Sequence, residues 1–378
     1  MRGESTYAKS LEGFGLLLGT LIGAGLFVLP YTFYRAGIKW GLFFFALTFA
    51  VSLAFHYLYA ALIAVTPGKH RFPGYMKIYL GDTAEKISLV FTFLSFYGAV
   101  LAYGVLAGIF LEAFLGVDFF TGGVTFFILG GLLFKMDLRA VGKANFYLTA
   151  MMLVFIVGLS LLVLPEIKAE YFFETLDTDW FLPYGVLLFA FAGHSALPDL
   201  FEVVGRNSKG LFKKIILWSF IVSAAVYLIF IAAILGVTGP TVTEDALTGL
   251  YQAVGEGFIA LGSLIGLLAV FTSYVALGVD LKLTFHYDYR LSDLSSWLLA
   301  FLPPLGLFLF GFNDLAAILS VVGALGLGVF SFLMVLAAWK KREELSRFLN
   351  LPVHPSWLFW LAALVVIGAL SEVVSFFQ

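Results

Sequence analysis

Gly23-Ala24-Gly25-Leu26-Phe27-Val28-Leu29-Pro30 interrupts the first long apolar run of the chain, and Gly193-His194-Ser195-Ala196-Leu197-Pro198 interrupts the sixth. Both carry the pattern G-x-x-x-L-P, starting at Gly25 and at Gly193, 168 residues apart. Glycine and proline are frequent in membrane helices, so one such interruption means little. Two in corresponding positions, each opening a block of five apolar runs, mark an internal repeat. Five is an odd number of crossings, so the second block sits upside down relative to the first. That is the inverted-repeat plan of many secondary transporters, in which paired broken helices mark the binding site.

The runs themselves come from the composition. Of 378 residues 61% are hydrophobic and only 12% charged, with a mean hydropathy of +1.01. A soluble domain carries roughly twice that charge. Eleven uncharged stretches of sixteen or more residues cover 13–34, 40–68, 87–111, 119–134, 144–165, 180–198, 215–243, 257–279, 294–313, 315–339 and 348–371. A bilayer core takes about 20 mainly apolar residues per helix, and none of these runs alternates as a membrane β-strand does. The expected fold is an all-α polytopic membrane protein of eleven transmembrane helices: a 5+5 inverted repeat with helices 1 and 6 broken, plus helix 11. The chain reads as one membrane domain over 1–378, with repeats at 11–165 and 180–339 and the additional helix at 354–377.

Several function classes drop out. Soluble enzymes and secreted modules do not fit so apolar a chain, and a net charge of -2 implies no nucleic-acid partner. The absence of cysteine excludes disulfides, iron–sulfur clusters and thiolate zinc sites. The polar start, Met1 to Glu12, lacks the pattern of a cleaved signal. Placing the N-terminus in the cytoplasm puts nineteen of the 22 basic residues on that side and leaves Arg35, Lys39 and Lys168 outside. The expected location is the cytoplasmic membrane, with the C-terminus at Gln378 on the outer side.

A helix unwound at mid-membrane leaves orphan N–H groups at the start of one half and orphan carbonyls at the end of the other. The positive end of the half-helix beginning near Gly25 suits a carboxylate. The carbonyls of Phe189, Ala190 and Ala192 suit an ammonium group. A zwitterionic amino acid satisfies both, with the lipid bilayer as the surrounding partner.

Thr20-Leu21-Ile22-Gly23-Ala24-Gly25, then Leu29-Pro30-Tyr31 and Ala36-Gly37, resembles helix 1 of the amino acid/auxin permeases, and Phe189 to Pro198 resembles their helix 6. Chain length, helix number and Thr272-Ser273-Tyr274-Val275-Ala276-Leu277-Gly278 are similar to the bacterial aromatic and hydroxy amino-acid permeases. The resemblance covers the whole chain in helix layout and is specific in helices 1, 6 and 8. It implies the LeuT-type fold of the amino acid–polyamine–organocation superfamily and amino-acid uptake driven by an ion gradient. The substrate contacts it implies are Thr20, Gly23, Ala24, Gly25, Phe189, Ala190, Phe191, Ala192 and His194. Tyr97 and Tyr103 of helix 3 are candidates to wall the pocket, although with 43 phenylalanines present most aromatics serve packing.

Ala269, Thr272 and Ser273 stand at i, i+3 and i+4, on one helix face. This pattern is similar to the helix-8 half of the sodium site in sodium-coupled LeuT-type transporters, and by that likeness Gly19 and Ile22 supply backbone carbonyls. The competing role of such hydroxyls is to bond their own helix. Helix 5, over 144–165, holds no basic residue that could replace the cation. Sodium is therefore expected ahead of the proton as coupling ion, with no other cofactor. His194 is the rival: an imidazole in the break could carry a coupled proton or hold the shape of the break. Asp280 reads as an interfacial acid paired with a base such as Lys282, and His56 as a satisfied core histidine.

The function expected is secondary active import of amino acids by cation symport with alternating access, the aromatic or other neutral amino acids being the candidate substrates. Proton-coupled symport or exchange through His194 is the alternative, and an amino-acid sensor a further one. No catalytic residue is expected: no H-E-x-x-H, G-x-S-x-G or phosphate loop occurs.

Overall fold

A computed structural model of the protein describes residues 6–135, 138–205, 208–254, 259–287 and 289–376. Gln378 lies outside the described residues. All regular elements described are helical. In chain order they are α1 Thr6–Leu21, α2 Gly25–Ala36, α3 Ile38–Val65, α4 Phe72–Leu80, α5 Asp82–Leu115, α6 Phe119–Leu132, α7 Leu138–Leu162 and α8 Leu182–Ala190. There follow α9 Leu197–Val204, α10 Lys209–Thr238, α11 Leu247–Val254, α12 Ile259–Tyr287, α13 Asp293–Leu309, α14 Leu315–Val321, α15 Gly328–Leu349 and α16 Pro355–Phe376. A π-helical segment, Val322–Leu327, joins α14 to α15.

Among the described residues seven helices are long and apolar enough to cross a membrane, or eight when the bent pair α1–α2 is counted as one span. Three shorter apolar helices, Phe119–Leu132, Thr149–Leu162 and Asp293–Leu309, occupy the runs at 119–134, 144–165 and 294–313. Local chemistry shortens two of them. Asp118 caps α6 by accepting the Thr121 N–H at 3.1 Å, and a 3-10 turn over Leu133–Lys135 ends it. Ser292 caps α13, which contains Pro303 and Pro304. The short helices α4 and α11 lie outside all eleven apolar runs.

The two interruptions are real breaks. Between α1 and α2 the axis bends by 46°. After Ile22 N–H donates to the Leu18 carbonyl, the next bonds, Leu26 N–H to Gly23 and Phe27 N–H to Ala24, span three residues instead of four. The sixth run is split at 191–193, with a single 3-10 turn, His194–Ala196, leading into α9. Around this centre α2 packs on α8, α1 on α10, α14 and the π segment on α8, and α12 on α5 and α7. Glycine permits the closest approach: a β-carbon on Gly323 would clash with the Gly185 carbonyl oxygen.

Ionic contacts tie both ends of the segment spanning α8 and α9 to α2 and to the α3–α4 loop. At one end Arg35 binds Asp179 through two guanidinium nitrogens, one Nε–Oδ2 distance being 2.7 Å, and the Arg35 carbonyl accepts the Thr178 N–H. At the other end Lys69 meets Glu202 at 2.6 Å and Arg71 meets Asp199 at 3.1 Å. These basic-face pairs border a cavity of about 1320 Å³ between the α3–α4 loop, α5 and α9.

Candidate functional site

The candidate site is the place where the two breaks touch. A β-carbon on Gly25 would stand 2.9 Å from Ala190 Cβ and 3.0 Å from Ala190 Cα, so only a residue without a side chain lets α2 start beside the end of α8. One buried hydroxyl bridges both helices: Tyr227 Oη, from α10, lies 2.6 Å from the Leu21 carbonyl and 2.8 Å from the Ala190 carbonyl. It holds the last turn of α1 and the last turn of α8 at a common point. Sequence reasoning did not single out Tyr227. Its place in an uncharged run is indistinguishable from that of a packing aromatic.

Among the described residues no backbone hydrogen bond starts from the Gly23 or Ala24 N–H, and none ends on the Gly19 or Ile22 carbonyl. The break therefore offers donors on one side and acceptors on the other, in a chain segment that is almost fully buried. Such groups need a partner. The carbonyls of the sixth helix are more occupied. That of Phe189 accepts the Ala192 N–H at 3.0 Å, and that of Ala190 faces Tyr227.

The remaining sequence candidates divide by position. Thr20 donates to the Leu16 carbonyl of its own helix at 2.8 Å. Tyr103 stands beside the break, its hydroxyl 3.5 Å from where a Gly23 β-carbon would sit, and it pairs with the Ser273 side chain. One tyrosine thus stands between residues of the two candidate sets. Tyr97 is turned to another neighbour and donates to the Leu299 carbonyl of α13 at 2.9 Å. Phe191 is fully buried in an aromatic group, stacked on Phe220 and edge-on to Phe45 and Phe49. His194 lies in the 3-10 turn with its ring 4.1 Å from that of Phe330.

Of the cation candidates, Ala269 of α12 packs against the hydrophobic core and the Thr272 side chain lies outside the described residues. Gly19 faces Thr149 of α7, whose hydroxyl would stand 3.0 Å from a β-carbon on the glycine. Thr149 is buried and is a hydroxyl that sequence reasoning missed, since only the lack of a base in this helix was legible there. Lys282 binds Asp293 at 2.8 Å, and the charge of Asp280 acts on Arg71. His56 is half satisfied: Nδ1 bonds the Ser52 carbonyl at 2.7 Å, while Nε2 is buried without a partner. No group of three or more His, Cys, Asp or Glu that could hold a metal ion occurs among the described residues.

With this geometry in view, comparison with known proteins is informative. The family model described as the tryptophan/tyrosine permease family matches residues 6–374. No curated protein sequence matches. Among solved structures, MhsT in complex with L-phenylalanine aligns with a TM-score of 0.70 at 14% identity, covering 97% of this chain and 98% of its own. A manganese transporter of Eremococcus coleocola, in complex with an aromatic bis-isothiourea substituted compound, aligns with a TM-score of 0.59 at 15% identity. That match covers 100% of this chain and 90% of the other. At such identities the likeness shows the fold, which is that of these LeuT-like transporters.

Proposed function

From the premise that the chain belongs to the tryptophan/tyrosine permease family, we propose that it is a secondary active importer of aromatic amino acids in the cytoplasmic membrane. The protein is an amino-acid transporter and not an enzyme. The observation that carries the finer reading is the contact of the two breaks, with the Gly23 and Ala24 N–H groups, which make no backbone hydrogen bond among the described residues, beside Gly25 and Ala190. The amino acid's carboxylate takes those donors, and its side chain lies on the Tyr103 side of the break. That a fold neighbour holds L-phenylalanine supports an aromatic substrate.

The same proposal places eleven crossings in the membrane, the three shorter apolar helices included, as two inverted five-helix repeats plus α16. The N-terminus is cytoplasmic and the C-terminus outside. Sodium is the coupling ion, held between the Gly19 and Ile22 carbonyls and Ala269, Thr272 and Ser273. Support comes from the carbonyls of Gly19 and Ile22, which accept no backbone hydrogen bond among the described residues, and from the Ser273 hydroxyl beside Tyr103. Five neutral oxygens suit a small monovalent cation and offer no carboxylate for a divalent one. Alternating access moves one repeat against the other around this site. Proton coupling through His194 is the rival, on the observation that the imidazole sits in the break itself.

The test is a thermal-shift screen of the purified protein against each proteinogenic amino acid, in sodium and in potassium. A ligand that binds the native state alone raises apparent stability. Tryptophan, tyrosine or phenylalanine should stabilise, and more strongly in sodium. Stabilisation by none of the three would remove the substrate assignment.

A further inference from the structure

Glu372 ends the last apolar run, which by sequence is where an acid meets the membrane surface, yet only 8% of it is exposed. Its helix, α16, packs on α8, on the π segment and on α15. Two hydroxyls converge on it. Ser320, on α14 one residue before the α14–π junction, faces the Glu372 carboxyl but makes no hydrogen bond of regular geometry. Tyr184, at the start of α8, is 4% exposed, and its hydroxyl is buried without a hydrogen-bond partner. The phenol lies over Gly368, where a β-carbon would fall 2.2 Å from the hydroxyl oxygen. Gly368 is one helical turn from Glu372, so the slot it leaves brings the phenol to the same helix face. Gly185 makes the matching room for Ser320, whose hydroxyl would stand 2.6 Å from a β-carbon there.

Among the described residues no cation is paired with the carboxyl. The elements facing it, α8, α14 and the π segment, contain no Lys, Arg or His, and neither does α15 up to Trp339. Gly328 faces Ala369, so the first base of α15, Lys340, lies about 18 Å farther along the helix. It donates instead to the Tyr79 carbonyl. Among the described residues the titratable groups at the cluster are thus Glu372 and the Tyr184 phenol. A carboxylate buried without a counter-charge is strongly disfavoured, and an ionisable group inside a membrane protein marks a binding function by default.

We propose that Glu372, with Ser320 and Tyr184, forms a proton-binding site separate from the helix breaks, and that the bound proton keeps α16 seated on α8. A neutral carboxyl both donates and accepts, so it can use the serine oxygen and the phenolic hydroxyl together. Two carboxyl oxygens and two hydroxyls make four donors, fewer than the five invoked for sodium at the helix breaks, which leaves the proton as the ligand of this site. The site deepens no part of the substrate reading and stands without it. Its position joins the outer half of the broken sixth helix to the π segment, so gain or loss of this proton acts on α8 directly.

Infrared spectroscopy of the purified full-length protein tests this at about pH 8, where exposed carboxyls are ionised. The wild type should show a protonated-carboxyl band that Glu372→Gln lacks. Tyr184→Phe should keep the band and shift its frequency, which tests the site should the glutamine variant fail to fold. Superimposed spectra of wild type and Glu372→Gln, or a band untouched in Tyr184→Phe, would overturn the proposal. So would a wild-type band that vanishes on adding sodium chloride, since the site would then hold sodium.

Discussion

Gly25 lies against Ala190 so closely that a β-carbon on the glycine would stand 2.9 Å from Ala190 Cβ and 3.0 Å from its Cα. One of these contacts is with backbone, which cannot swing aside. Gly25→Val therefore separates the two half-helices and moves the Gly23 and Ala24 donors out of register with the sixth helix. At a substrate concentration about 100-fold above Kd the wild type gains about 2.7 kcal/mol of apparent stability. The valine variant should gain none, read as the loss of the ligand-induced rise in Tm. A full ligand-induced rise in Gly25→Val would show that the break does not carry the ligand.

Tyr227 supplies the one described hydroxyl that reaches both breaks. Tyr227→Phe keeps the ring and its packing on Phe191 but leaves two buried carbonyls without that donor. The expected cost is about 1–3 kcal/mol, seen as a lower Tm in the absence of substrate. A variant as stable as the wild type would mean that the carbonyls find water instead.

Glu244, in the loop before α11, offers a pH-dependent test outside the membrane. Its carboxyl accepts the Leu315 N–H at 3.0 Å at the start of α14. Burial, and then the nearby Asp314 carboxylate, push its pKa above the ordinary glutamate range. The folded protein then holds a proton that the unfolded chain releases. Stability from this group is full below the unfolded value of about 4.3 and is lost as pH rises through the folded value. Denaturation midpoints measured across the mildly acidic range should fall with rising pH in the wild type and fall less steeply in Glu244→Gln. Equal slopes would contradict the assignment.

Topology can be checked in this cysteine-free chain by single cysteines at Lys341 and at Gln378. Labelling from opposite sides of the membrane is the expected result. Labelling from one side would remove either the eleventh crossing or one before it.

The breaks were legible because their signal is local: glycine and proline inside an apolar run are visible without any neighbour. Helix identity was legible for the same reason, while α4 and α11, too short and too polar for a spanning pattern, were not. What sequence could not show is which side chains meet. Tyr103 beside Gly23, Thr149 against Gly19 and Tyr227 across both breaks depend on helix packing, and in an apolar run a bridging tyrosine has the same pattern as a lipid-facing one. Glu372 shows the limit most plainly. A charge closing an apolar run reads as interfacial, and only the glycine slots at Gly185 and Gly368 reveal that it is enclosed. The π segment was equally hidden, since Val322–Leu327 has the composition of any membrane helix.

On the proposed function, aromatic amino acids bound at the paired breaks are carried by the sodium gradient. Uptake of labelled tryptophan into proteoliposomes, under an inward sodium gradient or an imposed pH gradient, tests it most directly. Accumulation should follow the sodium gradient, be lost when Thr272→Val and Ser273→Ala are combined, and persist in His194→Gln. Uptake that ignores sodium, follows the pH gradient and disappears in His194→Gln would contradict the account and assign coupling to the histidine.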